Sequence, residues 1–206
     1  MPASDESKDP TLEFERACFA AGALLVVGLD QVGRGGIAGP VAVGAHAIAV
    51  GVEAFPDGLR DSKLLSEPRR EALALAVAEW GAGAVGYASA AEIDERGIVW
   101  ALGRAGRRAL LRLLEAGLPL ERSVVLLDGG HDWLTPALTA PGEPPALPLD
   151  VRTMVGADRS CAVVAAASVR AKVERDALMR AAHVEHPGYA WHSNKGYGAR
   201  AHYDGI

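Results

Sequence analysis

Apolar residues along the chain fall into short runs that predict five strands. Continuous apolar runs of four to eight residues, bounded by turn residues, are typical of strands that are buried on both faces. The segments expected to form strands are Leu24–Asp30, Val41–Val50, Ala84–Ser89, Ser123–Leu127 and Leu149–Val155. The linker Gln31–Pro40 joins the first two strands, and its four glycines preclude regular structure.

Helical periodicity fills most of the remaining chain, together with one proline-rich loop. The helix after Pro10 is expected to have Thr11 as its cap. The segments expected to form helices are Thr11–Gly22, a helix from Ser66 with Leu73, Val77 and Trp80 on one face, Ala90–Arg96, Val99–Ala116 and Ser160–Ala182. The segment Pro136–Pro148 contains five prolines and is expected to be a mobile loop. Strands that are first adjacent and then separated by helices indicate an α/β fold, a mixed five-stranded sheet with helices on both faces.

Length and composition indicate one globular domain. A chain of 206 residues, half of them hydrophobic, can bury a substantial core. Residues 1–10 are polar and acidic and are expected to be a disordered lead-in to a domain that spans residues 11–206. Because no apolar stretch is long enough to cross a bilayer, no membrane partner is expected. The only two cysteines, Cys18 and Cys161, favour a reducing cytoplasm and buried thiols.

Charge leaves the partner undecided. The net charge of −5 argues mildly against a nucleic-acid partner, which usually calls for a basic surface. The segment Cys161–Ile206, however, holds six lysines and arginines against four acidic residues, so a local basic face remains open. No sequence feature indicates a dimer, and we expect a monomer.

Three aspartates carry the candidate chemistry, because each of them ends an apolar run. They are Asp30, Asp128 and Asp158. Carboxylates at the ends of converging strands would supply the oxygen ligands that Mg²⁺ and Mn²⁺ prefer. Each aspartate has a second interpretation, because strand-terminal aspartates often cap a turn. Asp158 could equally be the N-cap of the helix that begins near Ser160.

Taken together, these residues resemble the bacterial ribonuclease HII family, the type 2 ribonucleases H, from Thr11 to the end of the chain. The motifs that carry the resemblance are Gly28-Leu29-Asp30-Gln31-Val32-Gly33-Arg34-Gly35, Asp61-Ser62-Lys63, Leu127-Asp128-Gly129, Ala165-Ala166-Ala167-Ser168 with Ala171-Lys172-Val173, and Lys195-Gly196-Tyr197-Gly198. The resemblance implies a ribonuclease H-like fold whose portion from about residue 160 to 206 is helical and contacts substrate. It implies cleavage of RNA in RNA–DNA hybrids, including single ribonucleotides embedded in duplex DNA, and a role in DNA replication and repair.

The resemblance also implies a four-residue centre that binds two Mg²⁺ or Mn²⁺ ions. Carried over by position, its ligands and catalytic residues are Asp30, Gln31, Asp128 and Asp158. The family has glutamate at position 31, and Gln31 keeps one acceptor oxygen but loses the charge. We therefore expect attenuated activity. Two explanations stay open: a form disabled so that it traps substrate, or a natural variant that is slow or relies on Mn²⁺.

Substrate-binding residues follow from the same resemblance. The loop Gly33-Arg34-Gly35 would lie against the ribonucleotide's 2′-hydroxyl, and Tyr197 would stack on the deoxyribose that follows. Lys63 would meet a phosphate, and Ser168 and Lys172, which share a helix face, would reach the backbone phosphate or the active site. A plain glycine turn, a packed tyrosine, a solvated lysine and a helix-packing serine are the alternative interpretations.

Three functional hypotheses result. The first is a metal-dependent endoribonuclease, and the second is a protein of the same fold that binds RNA–DNA junctions but does not cut them. The third, an α/β metabolic enzyme that binds phosphate in its glycine-rich loop, is disfavoured. That loop lacks the Gly-Lys-Ser/Thr ending of a P-loop and a helix directly after it. Relative to the family pattern, Asn194 replaces a histidine and Ala199 a threonine, which predicts a weaker grip on substrate.

Overall fold

The central element of the structure, a computed structural model that describes residues 9–140 and 145–206, is a five-stranded mixed sheet. Its strands are β1 (Leu25–Val32), β2 (Val41–Ala49), β3 (Ala82–Ala88), β4 (Ser123–Asp128) and β5 (Asp150–Met154). Their spatial order is β3-β2-β1-β4-β5. Strand β2 is antiparallel to both β1 and β3, whereas β1, β4 and β5 run parallel. All five predicted strands are therefore present, and the expected mixed sheet is confirmed.

The first strand ends two residues later than the sequence predicted, at Val32 instead of Asp30. Gln31 pairs with Val43 and Val32 pairs with Ala42, so both residues belong to β1 and not to the loop. The glycines begin only at Gly33, and β2 supplies backbone partners up to that point. Gln31 is therefore held by the sheet, next to Asp30.

Helices cover both faces of the sheet. Within the described residues they are α1 (Glu13–Ala20), α2 (Glu67–Trp80), α3 (Ala90–Arg96), α4 (Ile98–Glu115), α5 (Thr135–Leu138), α6 (Ala157–Ser160), α7 (Ala162–Glu185), α8 (Trp191–Asn194) and α9 (Arg200–Tyr203). Helix α4 packs on one face, and α7 packs with α1 and α2 on the other. A Cβ on Gly28 of β1 would lie 2.5 Å from the backbone of Val163, so α7 rests directly on the sheet.

Two predicted helix starts were wrong for a shared physical reason. Helix α1 begins at Glu13 with Leu12 as its cap, not Thr11, and α7 begins at Ala162, not Ser160. The Thr11 N–H donates to the Ser160 carbonyl, and the Ala162 N–H donates to the Thr11 carbonyl, at 2.9 and 3.0 Å. This bridge holds Cys161 in an extended conformation and splits the predicted helix into α6 and α7.

The proline-rich loop was only partly predicted. Its start is helical, as α5, because Asp132 Oδ1 accepts the N–H groups of Leu134 and Thr135, both at 2.9 Å. The loop's residues 141–144, and residues 1–8 of the proposed lead-in, lie outside the described part of the chain. No helix in the described ranges is both long and apolar enough to cross a membrane. Cys18 and Cys161 are both free and buried, as expected.

A buried histidine makes the fold sensitive to acid. His46 of β2 is fully buried, and its ring stacks on Trp80 with the centroids 5.1 Å apart. Neither ring nitrogen has a hydrogen-bond partner among the described residues. Burial, with Arg170 nearby, lowers the pKa of His46 to about 3 from its ordinary value of 6.5. Since the fold favours the neutral ring, stability falls as the pH drops below 6.5 towards 3.

We therefore expect the His46→Leu variant to lose less stability in acid than the unmodified chain. Between pH 7.5 and pH 5 the unmodified chain should lose about 2 kcal/mol more, since each pKa unit corresponds to about 1.4 kcal/mol. Urea unfolding of both proteins at the two pH values measures this difference, and other titrating groups cancel in the comparison. Equal losses would show that His46 is not the acid-sensitive group.

Candidate active site

The carboxyl ends of β1 and β4 bring two of the predicted aspartates together. The two strands are parallel neighbours and pair Leu29 with Leu127, so Asp30 and Asp128 follow at the same edge of the sheet. Asp30 is buried, and its Oδ1 accepts the N–H of Gln31 at 2.7 Å. Both aspartates and Gln31 line one cleft.

Asp158 reaches the site from a different kind of element. It lies inside the short helix α6, whose N-cap is Gly156, and the N-cap of α7 is Cys161. The interpretation of Asp158 as a helix cap is therefore wrong. Its backbone N–H lies 3.4 Å from Asp128 Oδ1, and its buried Oδ2 accepts a hydrogen bond from Lys63 Nζ at 3.0 Å. Asp158 is not among the residues that line the cleft.

A fourth carboxylate, which the sequence analysis did not assign, joins this group. Asp61 is buried, and its Oδ1 accepts the Lys63 N–H at 3.0 Å and lies 3.8 Å from Lys63 Nζ. Its Oδ2 lies 3.9 Å from Arg159 Nε. The signal that would have found Asp61 was present, because Asp61-Ser62-Lys63 is one of the motifs behind the family resemblance. The ammonium of Lys63 thus lies between Asp61 and Asp158, although its side chain stays 65% exposed.

Burial and mutual repulsion put these carboxylates under electrostatic strain. Burial raises the pKa of Asp30 to about 7; a hydrogen bond from Ser168 and the charge of Lys63 oppose the rise, and Asp128 and Asp158 add to it. Burial also raises the pKa of Asp128, with a further contribution from the charge of Asp158. The pKa of Asp61 is raised by burial, and Asp158 again contributes. A bound dication would relieve this strain, because it favours the ionised form of each ligand.

The cleft has a volume of about 500 Å³ and contains nearly all of the predicted site residues. Its lining consists of Asp30, Gln31, Val32, Gly33, Arg34, Gly35, Ser62, Lys63, Asp128, Ser168, Lys172 and Tyr197. The glycine loop, residues 33–40, meets the segment 195–197 in this cleft, since the Gly33 N–H donates to the Tyr197 hydroxyl at 3.2 Å. Gly33 has a φ of +91°, a conformation that suits glycine.

The two residues predicted on one face of α7 both line this cleft, and each is fixed by a partner. The Ser168 hydroxyl is hydrogen-bonded to that of Ser62 at 2.9 Å. Lys172 Nζ donates to Asp176 Oδ1 at 2.8 Å and lies 5.5 Å from the centre of the Tyr197 ring. The plain helix-packing interpretation of Ser168 is therefore incomplete, because the side chain also takes part in a polar network that leads to Asp30.

The residues present fit a hard divalent metal. Gln31 Oε1 is buried beside Asp30 and has no hydrogen-bond partner among the described residues. Two carboxylates and one amide oxygen on residues that line the same cleft are the kind of oxygen donors that Mg²⁺ and Mn²⁺ accept. Within residues 9–140 and 145–206, however, no three aspartate, glutamate, histidine or cysteine side chains already form a group that would hold a metal ion. Asp158 pairs with Lys63, and position 31 contributes an amide in place of a carboxylate.

The sheet order and the carboxylates at the ends of its central parallel strands define a protein with the ribonuclease H-like fold. Two solved structures share this fold at low identity. Ribonuclease H2 from Pyrococcus horikoshii OT3 matches with a TM-score of 0.64 and 24% identity, over 85% of this chain and 82% of that one. Bst-RNase HIII in complex with Mn²⁺ matches with a TM-score of 0.63 and 21% identity, over 92% and 71%.

Sequence comparison narrows the class to one family. The family model described as Ribonuclease HII matches residues 27–206. Ribonuclease HII of Streptomyces avermitilis is 43% identical over 195 residues, which cover 94% of this chain and 76% of that protein. Ribonuclease HII of Paracoccus denitrificans is 41% identical over 196 residues, which cover 94% and 83%. The chain belongs to the ribonuclease HII family, and the resemblance and fold inferred from the sequence are confirmed.

Proposed function

We propose that the protein is a metal-dependent endoribonuclease that cleaves the RNA strand of RNA–DNA hybrids. We further propose that it cuts on the 5′ side of a single ribonucleotide embedded in duplex DNA, by two-metal hydrolysis that Gln31 attenuates. Family membership supports the first statement. The second goes beyond it and depends on the arrangement of the cleft.

One observation supports the proposal: the aspartates and the residues to which we assign sugar recognition line the same cleft. Asp30 and Asp128 line it together with Gly33, Arg34 and Tyr197. A phosphodiester placed against the aspartates would thus have its neighbouring ribose within reach of the glycine loop. Backbone amides without a Cβ can approach a sugar closely, and the 2′-hydroxyl is the group that distinguishes RNA from DNA.

Catalysis is assigned to the residues at the ends of β1 and β4 and in α6. Asp30, Gln31, Asp128 and Asp158 would hold Mg²⁺ or Mn²⁺ beside the scissile phosphate. When bound, these ions supply an activated water and stabilise the leaving 3′-oxygen. Lys63 pairs with Asp158 through its ammonium group, and its side chain is 65% exposed; we assign to it a turn towards a phosphate when substrate binds.

Recognition is assigned to the opposite part of the cleft. Gly33, Arg34 and Gly35 would contact the ribonucleotide, and Tyr197 would stack on the next deoxyribose. Ser168 and Lys172 would steady the backbone between the two ends, since both line the cleft from α7. We place all of these roles in one domain, residues 11–206, that acts as a monomer in the cytoplasm.

A catalytically silent protein that binds RNA–DNA junctions is the second candidate. Gln31 favours it, because the amide leaves the centre one carboxylate short of the family pattern. Recognition in this candidate would use the same loop and tyrosine. Metal-dependent cutting is therefore the observation that separates the two functions.

The test uses a DNA duplex that carries one ribonucleotide, an RNA–DNA hybrid and a matched all-DNA duplex, with Mg²⁺ and then with Mn²⁺. We expect cleavage of the first two substrates only, with the embedded site cut on its 5′ side. An Asp128→Asn variant serves as the control for contaminating nuclease, and it should be inactive on all three.

Each part of the proposal can fail separately. Cleavage of the hybrid but not of the embedded ribonucleotide would limit the protein to continuous RNA. Selective binding of ribonucleotide-containing duplex without cutting in either metal would favour the silent candidate. If the all-DNA duplex is cut or bound as well as the ribonucleotide-containing duplex, both the endoribonuclease and the silent junction-binding candidate are overturned.

A further inference from the structure

A buried arginine lies beneath the proposed recognition end of the cleft. Arg175 of α7 is 0% exposed, and its guanidinium donates hydrogen bonds to three backbone carbonyls. Its Nε reaches Pro40 at 2.9 Å, Nη1 reaches Lys195 at 2.9 Å, and Nη2 reaches Ala38 at 3.3 Å. The guanidinium carbon also lies 5.3 Å from the centre of the Tyr197 ring.

Stability alone does not explain this arginine. Burying a guanidinium costs free energy unless it is well paired, and an apolar side chain would fill the space at a lower cost. Among the described residues, no carboxylate forms a salt bridge with Arg175; the neighbouring Asp176 binds Lys172 instead. What the guanidinium provides is a rigid fork of donors that fixes several acceptors in one geometry.

The carbonyls that Arg175 binds belong to two different loops. One is the glycine loop, residues 33–40, and the other is the segment 195–197 that carries Tyr197. A Cβ on Gly33 would collide with Arg175 Nε, and a Cβ on Gly36 would lie 3.2 Å from Nη2, so the glycine loop packs directly on the guanidinium. The loops also touch each other, because the Ile37 N–H donates to the Gly196 carbonyl at 2.8 Å.

We propose that Arg175 is a positioning residue for ribonucleotide specificity. Its guanidinium sets the distance between the glycine loop and Tyr197, so that the part of the cleft assigned to the sugar is already formed before substrate arrives. This inference rests on the proposed function, because it concerns the same cleft. Arg175 has no exposed surface and acts on the substrate only through the two loops. Its loss should therefore reduce discrimination between RNA and DNA more than it reduces general affinity for a duplex.

The test compares Arg175→Lys with Arg107→Lys. Arg107 is a matched control because it is also a helical arginine, 3% exposed, that donates to a loop carbonyl, that of Pro145, at 2.9 Å. Helix α4, which carries it, packs on the opposite face of the sheet from α7. Lysine keeps the positive charge in both variants but loses the fork.

Binding is measured in EDTA at fixed salt, so that no cutting occurs, with a duplex that carries one ribonucleotide and with its all-DNA counterpart. The ratio of the two affinities reports specificity, and thermal unfolding reports stability. We expect Arg175→Lys to lower the ratio about 10-fold, which corresponds to about 1.4 kcal/mol and is the size of one hydrogen bond to the 2′-hydroxyl. Arg107→Lys should leave the ratio unchanged even where it lowers the melting temperature.

If folded Arg175→Lys keeps the affinity ratio of the unmodified chain, the inference is overturned but the proposed function is not. The same holds if Arg107→Lys lowers the affinity ratio as much as Arg175→Lys does. If the unmodified chain prefers neither duplex in EDTA, this inference fails, whereas the proposed function fails only if the cleavage test with Mg²⁺ and Mn²⁺ fails. Should Arg175→Lys not fold, Gly36→Ala replaces it, because its methyl group would lie 3.1 Å from the Gly33 carbonyl oxygen and 3.2 Å from Arg175 Nη2, so the contact between the glycine loop and the guanidinium has to shift. A ratio unaffected by that substitution would also overturn the inference.

Discussion

Replacing Gln31 with glutamate is expected to raise Mn²⁺ affinity at least 10-fold and the rate of cleavage about 10–100-fold. Loss of a residue that only supports a metal ligand typically costs about 10–100-fold in metal affinity or activity, and a ligand should matter at least as much. Gln31 belongs to β1 and lines the same cleft as Asp30 and Asp128, and its Oε1 is buried without a partner among the described residues, so a glutamate at this position would add its carboxylate to that cleft.

The size of the effect follows from the missing charge. Opposite unit charges about 4 Å apart attract by roughly 4 kcal/mol at an effective dielectric constant of about 20. Desolvation of the new carboxylate, next to Asp30 and Asp128, offsets part of that attraction. A net gain of about 1.4–3 kcal/mol corresponds to the expected 10–100-fold.

Isothermal titration with Mn²⁺ and single-turnover cleavage in Mg²⁺ and in Mn²⁺ measure the two effects separately. The control is Gln31→Leu, which removes the oxygen without adding charge and should bind Mn²⁺ more weakly than the unmodified chain. If Gln31→Glu cuts no faster in either metal, position 31 does not limit the reaction. Cutting by the glutamate variant alone would identify the unmodified chain as the silent binder.

The candidate site residues that lie at the ends of strands could be predicted from the sequence. The residues whose positions depend on contacts with remote parts of the chain could not. Asp30 and Asp128 end apolar runs, and a parallel arrangement of such strands places their carboxylates at one edge. The position of Asp158 depends on the bridge between Thr11 and Cys161, which breaks a helical pattern that is continuous in the sequence. Local propensity contains no information about a contact 150 residues away.

Arg175 shows the same limit more sharply. A charged residue in a long helix is expected to face solvent, and nothing in its local sequence predicts complete burial. Its environment is created by two loops that are remote in sequence and fold over the helix. Sequence reasoning finds residues whose chemistry is visible in the motif, whereas the residues that position them are found only from contacts.

The Asp30→Asn variant is expected to lose cleavage by more than about 100-fold and yet to be more stable than the unmodified chain when metal is absent. Asparagine keeps the Oδ1 acceptor for the Gln31 N–H and removes a buried negative charge that faces other carboxylates. The pKa of Asp30 is about 7 in the fold against an ordinary 3.8, so the ionised form destabilises the fold. That penalty grows as the pH rises from 3.8 to 7 and is complete above 7.

Three pKa units correspond to about 4 kcal/mol as an upper limit at pH 8. Urea unfolding in EDTA should thus show a stability advantage of Asp30→Asn that is larger at pH 8 than at pH 5, by up to about 3 kcal/mol. Asp150→Asn is the matched control, because Asp150 is an exposed aspartate at the start of β5, and it should change neither cleavage nor this pH dependence.

An Asp30→Asn variant that is inactive but no more stable would show that the Asp30 charge does not destabilise the fold. A variant that still cuts would show that Asp30 is not needed for catalysis. Both effects together would show that Asp30 is retained for function at the expense of stability, a trade-off typical of active sites.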